Sequence, residues 1–253
     1  MKNKKEKQKE GNYKLYQLFN ENTKIFMFPK EVLDERFVES ITKSYYKVYP
    51  RFKKVNLPVE SLDNRKEFEN LLLKRRSARV FNDEGISVSD LSRLLLFSAG
   101  VFKTNQRVKR TYPSAGARYP LEIYPIVFKS SDLKQGIYHY NVKDHCLEMC
   151  RSGDFFPDLK KIINQELMEN SALALIITAI FHRTTMKYGD RGYRFVLLDA
   201  GHLAQNIYLQ ATSLELGCCA IGGFLDHELD ELLGLDGLYE SSIYIIIIGH
   251  TKE

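Results

Sequence analysis

No apolar run in the sequence is long enough to cross a bilayer. The two longest, Ala172 to Ile180 and Ile243 to Ile248, are short and have the β-branched content of buried strands. The lysine-rich opening, Met1 to Glu10, has no apolar stretch behind it, which excludes a secretory signal peptide of the usual form and implies a cytoplasmic protein. Cysteine is scarce, four in 253 residues with two of them adjacent at Cys218 and Cys219, so no disulfide framework is expected. Cys146 and Cys150 have loosely metal-like spacing but no second ligand pair nearby; they read as small apolar residues on or beside a strand, and no metal site is expected. No G-x-G-x-x-G opens a helix, no phosphate loop of the Gly-Lys-Ser type is present, and there is no internal repeat. Lys and Arg exceed Asp and Glu by 37 to 32, but much of the net +5 lies in the opening run, which reads as a solvated tail. Without a recognisable binding motif, nucleic acid is not an expected partner.

What is present suffices for a real core: 44% of the residues are hydrophobic. Residues 1–62 are polar, charged and tyrosine-rich, with Pro29, Pro50 and Pro58 breaking any long helix, and read as an irregular arm ahead of a folded domain over 63–253. From Asn64 a helical pattern runs through Phe68, Leu71 and Leu72 into Lys74 to Phe81. Ser87 and Asp90 cap a second helix whose apolar face is Leu91, Leu94, Leu95 and Phe97 and which ends at Gly100. Strands are expected over Leu121–Phe128, Gly136–Tyr140, Cys146–Cys150, Ala172–Phe181 and Ser241–Gly249, and helices over Phe155–Met168 and Asp226–Leu233. Between Arg194 and Leu216 one stripe runs through Val196, Ala200, Leu203, Ile207, Ala211 and Leu214, and a second through Leu197, Ala204 and Tyr208. Two stripes imply a helix buried on more than one side, in a domain centre or an oligomer interface. Elements that do not alternate as regular βαβ units predict an α+β fold rather than a doubly wound sheet.

Four segments carry chemistry. Arg75, Arg76, Ser77 and Arg79 set three guanidiniums and a hydroxyl at a helix end, either a phosphate clamp or a solvated basic terminus. Thr111 to Pro120 contains Pro113, Ser114, Ala115 and Gly116, small residues that let backbone approach a planar ligand, or a plain turn. Leu216 to Phe224 is rich in small residues, and Gly222 and Gly223 after Ile221 can present successive N–H groups to an anion or a ring nitrogen. His182 to Phe195 is polar and lies between a buried strand and a buried helix. Lys187 and Tyr188 there could supply a base and a phenol, or the segment could be an exposed loop with Asp190 paired to an arginine. His182 and His202 read as core or interface histidines.

Taken in order, these segments resemble the FMN-dependent nitroreductase superfamily and, within it, the SagB-type dehydrogenases, the azoline oxidases of thiazole- and oxazole-modified peptide biosynthesis. Arg75-Arg76-Ser77-x-Arg79-x-Phe81 is similar to the opening flavin motif, Pro113-Ser114-Ala115-Gly116 with Tyr119-Pro120-Leu121-Glu122 to the second, and Ile221-Gly222-Gly223-Phe224 to the third. The subfamily likeness rests on Arg110 to Tyr124, on Gly136 to Tyr140, and on Lys187 to Phe195 leading to Asp199-Ala200-Gly201-His202. It covers about Leu57 to Gly249, with weaker echoes at Asn20 to Lys24.

The resemblance implies a nitroreductase-like fold, a mixed or antiparallel sheet flanked by helices, in an intertwined homodimer. It implies that Arg75, Arg76, Ser77 and Arg79 hold the phosphate and ribityl chain of FMN, that Pro113 to Gly116 reach the flavin from the other subunit, and that Gly222 and Gly223 lie against the isoalloxazine. Lys187 and Tyr188 match the catalytic pair for dehydrogenating a thiazoline or oxazoline, with hydride passing to FMN. With only Lys252 as a basic side chain beyond Gly249-His250, phosphate binding is expected to rest on the first motif, and peptide recognition to need partners such as a cyclodehydratase. The competing readings are an NAD(P)H-dependent nitroreductase or ene-type reductase of small electrophiles, and a non-catalytic scaffold in a peptide-modifying complex.

Overall fold

The structure is a computed structural model that describes residues 14–28, 47, 51–57, 66–104, 107–163 and 168–251. Its centre is a six-stranded sheet of β3 (Leu121–Val127), β4 (Gly136–Asn141), β5 (Cys146–Ser152), β6 (Leu173–Ile180), β7 (Leu216–Ile221) and β8 (Glu240–His250). The strand order is β5-β4-β3-β6-β8-β7 and every pairing is antiparallel. The central strands are apolar on both faces because both faces are covered. Leu173, Leu175 and Ile177 of β6 pack with Leu94, Leu203 and Ile207, whereas Ala174 and Ile176 pack with Leu159, Ile163 and Leu229. The first layer is α3 (Val88–Ala99) with α6 (Arg191–Ser213), and the second is α4 (Phe156–Ile163) with α7 (Asp226–Leu233). Helices on both sides of an antiparallel sheet make the fold α+β, as expected. No described helix is long and apolar enough to cross a membrane.

Ser87 caps α3 as the sequence indicates: its Oγ accepts from the Asp90 N–H at 3.0 Å and donates to the Asp90 carboxylate at 2.7 Å. The helix anticipated from Asn64 to Phe81 is shorter; α2 covers Glu67–Lys74 and Arg75 is its C-cap. Beyond it the chain is extended, because the Ala78 N–H donates to the Cys218 carbonyl at 2.9 Å and Phe81 bridges Thr251, so pairing with the sheet overrides local helix propensity. β7 itself, expected only as a small-residue segment, is a strand fixed by its register with β8. A two-stranded hairpin of β1 (Val101–Thr104) and β2 (Arg107–Arg110) carried no sequence expectation at all. The helix expected over Phe155–Met168 is seen as Phe156–Ile163, with 164–167 outside the described residues.

The N-terminal arm, expected to be partly irregular, contains a helix. Residues 15–23 form a helix, α1 (Leu15–Thr23), and the rest of 1–62 lies largely outside the described residues. It is held at three points: the Tyr16 N–H donates to Asp190 at 3.3 Å, Tyr193 OH donates to Asn20 at 3.1 Å, and buried Lys24 donates to the Gly237 carbonyl at 3.0 Å and to Asp230 at 3.4 Å. Asp230 and Glu21 both pair with the buried Lys24 side chain.

On α6 the first apolar stripe is buried at Val196, Ala200, Leu203, Ile207 and Ala211. The second is half covered: Ala204 is buried, but Leu197 is 42% and its neighbour Leu198 60% exposed.

Candidate active site

Two groups of sequence-predicted residues assemble, each on its own side of α6. The first is built around Tyr208. Its hydroxyl accepts from the Ala220 N–H at 2.8 Å and shares a 3.0 Å hydrogen bond with Ser77 Oγ, and the Arg75 guanidinium carbon lies 5.5 Å from its ring centroid. One tyrosine therefore ties the Arg75–Arg79 segment to β7. Gly217 makes the crossing possible, since a Cβ there would lie 2.9 Å from Ala78 Cβ. Arg76 and Arg79 are exposed. Burial pushes the Cys218 and Cys219 thiols up, against the opposing pull of Arg75 on the first and Arg79 on the second. Past buried Ile221 the backbone opens. Among the described residues, a Cβ on Gly222 would meet only Tyr244 at 4.0 Å and one on Gly223 nothing within 4 Å, which leaves an open stretch of backbone just past β7.

The second group is built around Asp199, 3% exposed on α6. Its carboxylate accepts from Ser114 Oγ at 2.5 Å and from the Ala115 N–H at 3.3 Å, while Ser114 Oγ accepts from the Tyr119 N–H at 2.9 Å. Burial raises the Asp199 carboxyl above its ordinary range, and the Ser114 and Ala115 hydrogen bonds oppose that rise. The loop it holds is strained: φ is 61° at Gly116, 53° at Ala117 and 46° at Tyr119. The two non-glycine positions cost about 1–3 kcal/mol each, so other contacts must impose them. The positive φ favours glycine at 116, and the loop comes close to α5 there: a Cβ on Gly116 would fall 2.5 Å from Tyr188 OH and 2.9 Å from Lys187 Nζ. The second motif and the Lys187–Tyr188 pair, far apart in sequence, thus meet in space.

Lys187 and Tyr188 end a short helix, α5 (His182–Tyr188), where an exposed loop was one of the sequence readings. The Tyr188 ring packs edge-on against Phe195 at 5.0 Å and Lys187 Nζ lies 5.2 Å from its centroid. Asp190, expected as an arginine's partner in that reading, accepts instead from the arm through Tyr16; among the described residues it pairs with no arginine. His182 and His202 are exposed in this chain rather than in the core. Of the two anchors, Asp199 entered the sequence analysis only as part of the subfamily likeness and Tyr208 only as an apolar position of the helix; neither was assigned to the site. A carboxylate inside the apolar stripe of α6 was the available signal, since a buried acid needs donors.

The two groups do not converge within one chain. Asp199 and Tyr208 are nine residues apart on α6, about 13 Å of rise and two and a half turns, which puts them on opposite faces of the helix.

Behind α5 lies a charged network. Arg183 Nη1 donates to the Tyr119 carbonyl at 3.2 Å and pairs with the Glu122 carboxylate, whose other oxygen meets His139 Nε2 at 3.2 Å; His139 Nδ1 meets Glu148 at 2.8 Å. The hydrogen bond to Glu122, reinforced by Glu148, lifts His139 to about 9, while His139 and Arg183 hold Glu122 below the usual carboxylate range despite its burial. A folded value above the unfolded one, about 6.5, means His139 contributes its full stabilisation below that pH and loses it as pH rises through about 9. Tm measured from pH 6.5 to 9.5 should therefore decline more steeply in the wild type than in His139→Gln; parallel curves would show an uncharged His139.

Comparison with known proteins identifies relatives of this chain. A Methanocaldococcus jannaschii protein named as a nitroreductase is 39% identical over 188 residues, covering 74% of this chain and 92% of that one. The Microcin B17-processing protein McbC of Escherichia coli is 29% identical over 153 residues, 58% of this chain and 56% of McbC, so the chain spans about half the length of that relative. Among solved structures, a chain of the E. coli microcin synthetase McbBCD complex with truncated pro-MccB17 bound superposes with a TM-score of 0.74 at 23% identity, over 94% of this chain and 87% of that one, a likeness of fold. The Nitroreductase family model matches residues 72–250, and the chain belongs to that family.

Proposed function

We propose that this nitroreductase-family oxidoreductase binds FMN at the interface of a homodimer and dehydrogenates thiazoline or oxazoline rings of a ribosomally made peptide to thiazoles or oxazoles. The observation that carries the reading is the meeting of Lys187 and Tyr188 with Gly116, while the Arg75 group stands on the opposite face of α6. A site needing both groups takes one from each of two chains, and the exposed Leu197 and Leu198 supply apolar surface for a second copy. The residues fit the cofactor: Arg75, Arg76, Ser77 and Arg79 for its phosphate and ribityl chain, the open backbone at Gly222 and Gly223 for its ring, and Pro113 to Gly116 of the facing subunit. When bound, FMN supplies a two-electron acceptor for the hydride that leaves the azoline. Lys187 takes the ring Cα proton with the Tyr188 phenol beside it. Loss of one proton and one hydride would leave the aromatic azole, and dioxygen or another acceptor would take up the two electrons.

The partners in this reading are a cyclodehydratase, which makes the azoline, and the precursor peptide, in the cytoplasm. The names of McbC and of the microcin synthetase complex support it. A second reading, NAD(P)H-dependent reduction of small electrophiles, is favoured by the name of the archaeal relative; the scaffold reading predicts colourless protein. Purified protein should be yellow, elute as a dimer, and convert an azoline peptide in air with loss of H2 per ring by mass spectrometry. An inert yellow protein that consumes NAD(P)H with a nitroaromatic would favour the second reading.

A further inference from the structure

α5 has only seven residues, too few to hold its own place, so its position over the Gly116 loop depends on tethers. Among the described residues its inner side offers no polar one: the hydroxyls of Thr184 and Thr185 are buried and have no hydrogen-bond partner there. Besides a 2.9 Å contact from Arg118 Nη2 to Met186 Sδ, the outer side is fastened three times over at Arg183. The guanidinium donates to the Tyr119 carbonyl at 3.2 Å and pairs with Glu122, and the Arg183 carbonyl accepts from Arg118 Nε at 2.7 Å. Lys187 lies four residues on, one turn along the same side of the helix, so whatever fixes Arg183 fixes the height of the lysine over Gly116. Glu122 is in turn fixed by His139 on β4, which is held by Glu148 on β5. The strained backbone at Ala117 and Tyr119 sits inside this same set of contacts.

We infer that Glu122 and Arg183 are positioning residues that clamp α5 onto the 116–119 loop and so set the placement of Lys187 and Tyr188 for catalysis, without touching substrate or flavin. This rests on the azoline-oxidase reading for its kinetic consequence but not for its structural one. Both oxygens of the Glu122 carboxylate are committed inside the protein, one to Arg183 and one to His139. A group placed this way acts on rate through geometry, where an error near 1 Å costs on the order of a hundredfold.

The test uses the FMN-loaded protein. Glu122→Gln, and independently Arg183→Gln in case either folds poorly, should retain full flavin and unaltered KM for an azoline peptide while kcat falls roughly ten- to a hundredfold. Arg183→Lys should recover part of the loss. In a background lacking both groups, Lys187→Ala with Tyr188→Phe, Glu122→Gln should cost nothing further, because the clamp acts through that pair. Hydrogen exchange of the α5 amides should quicken in the variants while that of α6 does not, a reading that needs no turnover. Losses that multiply with the Lys187→Ala, Tyr188→Phe pair, or α5 exchange that stays at the wild-type rate, would overturn the inference. If the wild type oxidises no azoline, the functional reading fails, and the exchange measurement alone decides whether the clamp exists.

Discussion

Lys187→Ala should purify yellow and oxidise an azoline peptide about a hundred- to ten-thousandfold more slowly than the wild type, the usual worth of a positioned general base. The cofactor should be spared because the lysine sits at the end of α5, beside Gly116, and contributes nothing to the Arg75–Tyr208 group or to the open backbone at Gly222 and Gly223. Tyr188→Phe keeps the ring that packs on Phe195 and removes only the hydroxyl facing Gly116, so it separates the phenol's chemistry from its packing. Reduction by dithionite and reoxidation in air should proceed normally in both variants, since neither takes a proton from a substrate carbon. Unaltered azoline oxidation in Lys187→Ala and Tyr188→Phe would remove them from the mechanism and strengthen the reductase reading.

Arg75→Ala and Arg79→Ala should each weaken FMN binding. A lost charge-assisted contact to phosphate costs about 1.5–3 kcal/mol, or roughly ten- to a hundredfold in affinity. The structure separates the two variants. Arg79 is exposed, so its replacement reports on the phosphate alone, whereas Arg75 also lies over the Tyr208 ring, a contact worth about 0.5–1 kcal/mol in its own right. Thermal stability should therefore fall slightly in Arg75→Ala and hardly at all in Arg79→Ala. Flavin titration followed by fluorescence measures the affinities; if both variants bind FMN as the wild type does, the phosphate is held elsewhere.

The parts of the fold legible in the sequence are those whose pattern is set by burial. β6 and the apolar run of β8 are buried on both faces and show as continuous runs; α3 shows through its caps, α6 through its stripes. β7 was hidden because Gly217, Cys218, Cys219 and Ala220 have little intrinsic strand preference and owe their conformation to β8. α1 was hidden because Tyr16 is its only buried residue and its anchors, Asp190, Tyr193 and Asp230, are supplied from far along the chain. At the site the chemistry-bearing residues stand out as residue types, and their meeting does not. Nothing local to Gly116 says that Tyr188 will lie against it, and Tyr208 reads as one more apolar position until its hydroxyl is seen between Ser77 and Ala220.

The placement of α1 bears on the order in which the molecule assembles. Its contacts span 174 residues to Asp190, 173 to Tyr193 and 206 to Asp230. On the ribosome the helix emerges well before any surface it can rest on, and it must wait for α6, α7 and the turn before β8 to be made. Closing so long a loop costs little in equilibrium terms, about 0.6 kcal/mol for each doubling of length, but non-local contacts of this kind form slowly. Docking of α1 thus requires residues as far along as Asp230 and Gly237, and buried Lys24 can seat only against α7 and the turn before β8.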